Sequence, residues 1–179
     1  MTIMKRFITI ITLILSVSAF AYAQPRAAGL RTGATGEEAS YQHELNLNTF
    51  LQGDLGLDFG ASVDGPLGFK ATGTYNIIFA RPAWTDKGTW AIYAGPGVTL
   101  GYSGDKVTYR DELVTLRTRE HGFMFALAAQ AGLEYNFEFP LQLSADIRPY
   151  FGVHIGDAAG FYDRGLLGFI PSISARYRF

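Results

Sequence analysis

The chain has 179 residues, of which 17% are charged, with a net charge of -1, 15% aromatic residues, 21 glycines and no cysteine. Without a basic surplus nothing neutralises phosphates, which argues against nucleic acid as a partner. The lack of cysteine excludes a disulfide framework and a thiol for lipid attachment. Three scattered histidines make no metal site, and no cofactor is expected.

At the N-terminus, Lys5 and Arg6 precede an apolar run from Phe7 to Val17, and Ala21-Tyr22-Ala23 supplies a small-residue cleavage pattern. Residues 1–23 therefore read as a cleaved signal peptide and residues 24–179 as one domain. No later segment has the roughly twenty consecutive apolar residues of a helical span, so the exported chain is either soluble or a β-barrel.

Period-2 alternation decides between these. Short segments at Ala28 to Ala34 and Tyr41 to Leu47 open the series. Leu51 to Phe59 then sets Leu51, Leu55, Leu57 and Phe59 against Gln52, Asp54 and Asp58, and Leu67 to Phe79 sets Leu67, Phe69, Ala71, Tyr75, Ile77 and Phe79 against Lys70, Thr72, Thr74 and Asn76. In Trp90 to Tyr102, Ile92, Ala94, Val98 and Leu100 lie between the two terminal aromatics on one face. Phe123 to Phe137 carries aromatics at both ends of one face and aliphatics between, with Gln130, Glu134 and Asn136 on the other. Leu141 to Ile155 keeps the pattern, and Leu167 to Phe179 ends it. From Phe125 to Tyr135 is roughly 33 Å of strand, or about 23 Å along the membrane normal at a 45° tilt, which matches an apolar band of about 25 Å.

The expected fold is all-β: an eight-stranded antiparallel up-and-down transmembrane β-barrel. With both termini periplasmic, the connections at Asn48, Arg81 to Gly88 and Phe139-Pro140 are the short periplasmic turns, and Ser103 to Gly122 and Gly156 to Gly165 are outer loops. The expected location is the outer membrane, in contact with its lipid and lipopolysaccharide.

The chain resembles the small eight-stranded outer-membrane barrels, specifically the Bacteroidetes-type outer membrane β-barrel proteins. The residues that carry this are Gly29-Leu30-Arg31-Thr32-Gly33, Ala39-Ser40-Tyr41-Gln42-His43, Gly132-Leu133-Glu134-Tyr135-Asn136-Phe137, the stretch from Pro140 to Pro149, and Ser174-Ala175-Arg176-Tyr177-Arg178-Phe179. The resemblance implies fold and location more than activity. It also implies that Ala175, Tyr177 and Phe179 form the C-terminal signal read by the outer-membrane insertion machinery, a partner during biogenesis.

Function has to be sought inside and above such a barrel. The inward register carries Glu44, Asp54, Asp58, Glu134, Glu138 and Asp146 against Arg31, Lys70, Arg148, Arg176 and Arg178. This near-balance predicts a packed polar network, with Arg31, Glu44, Asp54, Lys70, Glu134, Asp146, Arg148 and Arg176 as its members, and not a single-sign pore. Pro96, Pro149 and Pro171 fall in the outward register of three strands, where each should mark a bulge or a missing hydrogen bond, and Pro149 and Pro171 are the place to look for a lateral opening. The alternation of Val107-Thr108-Tyr109 and Val114-Thr115-Leu116 extends strands five and six as a hairpin, so that residues 103–122 could meet an extracellular protein partner. There Lys106, Arg110, Arg117 and Arg119 could instead meet anionic lipopolysaccharide groups.

Three readings follow: a structural or surface-interaction barrel, a narrow conduit for small or hydrophobic molecules by lateral opening, and a lipid-modifying enzyme. The third would use His121 or His154 at the outer rim with Ser103, Asp105 or Asp157. No known catalytic spacing recurs, and the chain is read as no enzyme. His43, in the lipid-facing register, is expected at the membrane interface.

Overall fold

A computed structural model describes residues 25–58, 68–110, 115–156 and 159–179; the segment read as a signal peptide lies outside them. Ten strands follow in chain order: β1 (Arg26–Gly33), β2 (Gly36–Asn46), β3 (Thr49–Asp58), β4 (Gly68–Ala80), β5 (Thr89–Arg110), β6 (Thr115–Asn136), β7 (Leu141–Ile147), β8 (Tyr150–Ile155), β9 (Ala159–Phe161) and β10 (Ser172–Arg178). A 3-10 segment, Asp163–Phe169, separates the last two.

All the pairings are antiparallel, and they close a barrel of eight staves. Strands β1 to β6 are one stave each, β10 pairs with both β1 and β7, and β5–β6 completes the ring. The seventh stave is β7 and β8 laid end to end along β6 in a single register, since Ala131 faces Ile147 and Ala128 faces Tyr150. Ladder partners followed from Leu30 through Ala39, Leu55, Ala71 and Leu100 reach Phe125, whereas the path through Ala175 and Leu143 reaches Tyr135, ten residues along the same strand. With strands about 4.8 Å apart and a rise of about 3.3 Å per residue, this stagger tilts the staves by about 40°.

The alternation read from the chain puts its apolar set outside. Leu30, Leu55 and Leu127 are more than 60% exposed, while Arg31, Lys70, Arg148 and Arg176 are buried. Exposed apolar surface of this extent is unfavourable in water at about 25 cal/mol per Å² and is neutral against hydrocarbon. Aromatic side chains collect at both ends of the apolar surface. At the end carrying the termini, Trp84, Trp90, Tyr135, Phe137 and Phe139 form a chain of ring contacts with centroids 4.6–5.4 Å apart. At the far end, Tyr102 meets Phe69 at 6.3 Å and Phe123 at 5.3 Å. Arg26 and Phe179 exchange main-chain hydrogen bonds, joining the first stave to the last.

The structure corrects the sequence reading in several places. The second strand starts at Gly36, not Tyr41, because a two-residue turn at Ala34-Thr35, with Gly36 at φ 132°, follows β1 directly. The last strand starts at Ser172, so Leu167–Phe169 belong to the 3-10 segment and Pro171 precedes the strand. Pro149 does not face outward into lipid: it is buried at the β7–β8 break, beneath the 3-10 segment. There Arg148 N–H donates to the Gly168 carbonyl at 2.7 Å, and a Cβ on Gly168 would collide with the Arg148 carbonyl, so glycine permits the approach.

Prolines do not mark the register shifts either. Those fall at Glu44/Asn46 and Ile78/Ala80, next to turns. At Pro96 the β4–β5 register is unbroken, yet paired positions jump from Thr74–Gly97 to Ile77–Ala94, as a residue without an N–H requires.

Candidate functional site

Alternation aims every second side chain of each stave into the lumen, and an eight-stave barrel is narrow enough for these to fill it. The lumen is layered. At the end carrying the termini, Phe50, Ile78, Ala91 and Tyr93 form an apolar layer, with Phe50 edge-on to Tyr93 at 5.1 Å. Near the far end, Met124, Ala126, Ala128, Tyr150 and Tyr162 form a second one.

Buried ion pairs lie among the remaining inward positions. Glu38 receives Arg31 at 2.9 Å, Lys70 at 3.1 Å and Arg148 at 3.4 Å. Arg31 also holds Asp146 at 2.7 Å, and Arg148 holds Asp54 at 2.6 Å. Three carboxylates thus meet three cations away from water, which is the condition under which burying charge is tolerable. Lys70 additionally donates to the Thr35 carbonyl at 2.6 Å, tying the β1–β2 turn to the cluster, and lies 5.5 Å from the centre of the Tyr150 ring. Amide and hydroxyl groups extend the network. Gln52 donates to Asp54 at 2.9 Å and accepts from Gln42 at 3.1 Å, while Gln130 accepts from Thr74 at 2.7 Å.

Of the eight residues expected in the network, Arg31, Asp54, Lys70, Asp146 and Arg148 form this cluster with Glu38. Arg176 joins through neutral partners, donating to Ser40 at 2.8 Å and Ser144 at 2.9 Å. Glu134 is buried and accepts from Asn136 at 2.7 Å. Asp146 stands opposite Gly132, diagonal to Glu134, and turns instead to Arg31. Glu44 departs from the expectation: it stands apart from the cluster, half-buried at the terminal end, and lines a small hollow with Arg26 and Arg178. Glu138 is exposed in the β6–β7 turn, and Arg178 is half-buried at the rim, donating to the Phe137 carbonyl at 3.3 Å. Both lie beyond the last fully enclosed lumen positions.

Glu38 is the acid the sequence reading missed. Carrying the alternation of Tyr41 and His43 back by three more residues would have aimed it inward. Phe50 lies just before the strand expected from Leu51, and Ile78, in the inward register of Asn76, is an apolar residue that the expected polar face leaves out.

Near the far end, Tyr162 donates to Asp58 at 3.0 Å, and the Arg164 amide reaches Asp105 at 3.5 Å, so the 3-10 segment folds over this end of the lumen. The ring of buried His154 meets the main-chain carbonyl of Ser103 at 2.9 Å, and His121 stacks on Tyr102 at 6.3 Å. Asp157 lies outside the described residues. Among the described residues no group of three His, Asp or Glu side chains is placed to hold a metal. Strands β5 and β6 pair without interruption to Arg110 and Thr115, well past Tyr102 and Phe123, and form a long hairpin. Residues 111–114 and the side chains of Lys106, Arg110, Arg117 and Arg119 lie outside the described part. In the last stave, Ala175 and Tyr177 face outward with Phe179 exposed at its end.

No protein-family model matches the chain, and no curated protein does. Among solved structures it is similar to the N-terminal β-barrel domain of Pseudomonas aeruginosa OprF, with 14% identity and a TM-score of 0.49 over 87% of this chain and 96% of that one. It is also similar to Ail, the attachment invasion locus protein of Yersinia pestis, with 13% identity and a TM-score of 0.32 over 87% and 95% of the two chains. A structure of Ail in complex with the heparin analogue sucrose octasulfate gives 16% identity and a TM-score of 0.33 over the same shares.

Proposed function

We propose that the protein is an integral outer-membrane barrel of the Bacteroidetes-type family, closed to ions, with periplasmic termini and a structural or surface-interaction role through its far end. The observation that carries this is the lumen itself: Arg148 and Asp54 meet at 2.6 Å between an apolar layer at the terminal end and another near the far end. A conducting pore needs a wetted path, and two dry layers around a neutralised cluster oppose one. The exposed apolar belt and its two aromatic girdles support membrane insertion, and the long β5–β6 hairpin offers an element by which a partner could be met. His154 is engaged with the Ser103 main-chain carbonyl and His121 with the Tyr102 ring, contacts that support a non-catalytic reading of both. Refolded protein in a planar bilayer should show no steady conductance; sustained opening would overturn the closed-barrel reading. Substituting His121 and His154 should leave lipid A composition unchanged.

A second reading, sideways passage of a small hydrophobic molecule, is favoured by one observation. Among the described residues no ladder joins β9 to β1, and the 3-10 segment stands where the far half of the eighth stave would run. Uptake of a hydrophobic dye into protein-containing vesicles without ion conductance would support it.

A further inference from the structure

The outer wall carries a groove that simple alternation of apolar side chains does not explain. It crosses from β2 to β6, four inter-strand steps of about 4.8 Å each, and has a volume of about 820 Å³ between Tyr41, His43, Leu51, Tyr75, Val98 and Leu127. A second hollow of about 600 Å³ adjoins it and shares Tyr41 and Gly53.

The floor is made by Gly53 and Gly73, direct partners on β3 and β4, with Pro96 beside them on β5. Both glycines hold outward positions, with Leu51 and Leu55 flanking one and Ala71 and Tyr75 the other. A Cβ at either would meet no atom within 4 Å, and neither has a positive φ. The fold therefore does not demand glycine at these positions. Glycine in a strand interior weakens the strand and often marks where a ligand approaches the backbone. Here the two glycines deepen a hollow walled by Tyr41, Leu51, Tyr75, Val98 and Leu127.

We propose that this groove binds one glycerophospholipid, its acyl chains over Gly53, Gly73 and Pro96 and its phosphate at the terminal end beside His43 and Arg26. The inference rests on the membrane reading above. The lining is almost wholly carbon, as acyl chains require. Arg26 stands directly opposite His43 across the β1–β2 ladder, both in the outward register and half-buried. His43 stacks on Tyr41 at the groove wall, and Arg26 meets the C-terminal Phe179, which places the pair at the rim of the belt where headgroups lie. Guanidinium and imidazole N–H donors suit a phosphate oxygen.

A second copy fits less well. A two-fold interface would set groove on groove and leave both hollow, whereas a flexible chain fills a concavity. Lipid A, with several chains on one headgroup, would leave most of its chains outside a groove whose floor is two facing glycines and a proline.

The test refolds the protein into vesicles of mixed phosphatidylglycerol and phosphatidylcholine, extracts it in detergent and weighs it by native mass spectrometry. One lipid should remain bound after bulk lipid is stripped, with phosphatidylglycerol in excess. Gly53→Leu with Gly73→Leu should cut retention at least tenfold, and Gly73→Val alone by an intermediate factor, each with an unchanged β-sheet circular dichroism spectrum. Arg26→Ala with His43→Ala should keep a lipid but lose the preference for phosphatidylglycerol. Retention undiminished in the leucine variant, or lipid lost together with the bulk, would reduce the groove to an annular contact and overturn the proposal. An unchanged preference in the Arg26 and His43 variant would overturn the headgroup placement. Failure of the wild-type protein to enter vesicles at all would instead overturn the membrane reading.

Discussion

The guanidinium of Arg148 closes on the carboxylate of Asp54 at 2.6 Å, joining the seventh stave to the third across a ring of eight. The two residues come from opposite walls, so the pair bridges the lumen instead of lining it. Glu38 accepts from the same guanidinium at 3.4 Å and links it to Arg31 and Lys70. Removing one member leaves its partner charged in a dry site.

Asp54→Asn should therefore destabilise the barrel by about 3–5 kcal/mol, the usual effect of breaking a buried pair from one side. Adding Arg148→Met should recover part of that loss, with a coupling of about 0.5–3 kcal/mol between the two sites. Urea unfolding in phospholipid vesicles measures both, and strictly additive effects would show that the pair does not act as a unit.

The apolar layer at the terminal end makes a separate contribution. Phe50→Ala removes the ring packed edge-on against Tyr93 at 5.1 Å and should cost about 3–5 kcal/mol. Single-channel recording should also show brief openings in this variant that the Asp54 variant lacks, because it thins a dry layer where the other only unbalances charge.

On the outer face, Leu55→Arg should cost about 2–4 kcal/mol if that residue lies near the bilayer midplane, and Phe79→Arg at the terminal end no more than about 1 kcal/mol. Both side chains are more than 60% exposed, so loss of packing inside the protein does not separate them. Equal effects on refolding into vesicles would argue against a membrane belt.

The 3-10 segment is pinned to the barrel by Tyr162, whose hydroxyl donates to Asp58 at 3.0 Å. Tyr162→Phe should cost about 1–3 kcal/mol and leave the Asp58 carboxylate short of a donor. Faster hydrogen exchange confined to residues 159–171 is the expected signature; an unchanged rate would show that other contacts hold the segment.

Read as part of an insertion signal, Phe179 bears on biogenesis. Phe179→Ser should reduce the amount of folded protein in cellular outer membranes while leaving refolding into vesicles intact. A parallel loss in both assays would assign Phe179 to packing alone.

Alternation is a local property, so the inward set of Gln52, Asp54, Lys70, Gln130, Glu134 and Asp146, and the lipid-like face opposite it, could be read along the chain. So could the turns at the terminal end, because short hairpins join strands adjacent in sequence. Glu38 needed only the strand two register extended past Tyr41. The remainder depended on distance across the barrel. Which acid meets which base follows from a ten-residue stagger accumulated over eight registers, and no single strand contains it. Phe50 and Ile78 are apolar yet face inward because alternation sets the side on which a residue lies whatever its chemistry. Residues 163–169 leave the strand path because the β7–β8 break at Arg148-Pro149 frees backbone groups that Gly168 comes close enough to satisfy. Local periodicity thus settled which side chains share a face, and closure of the ring settled which of them touch.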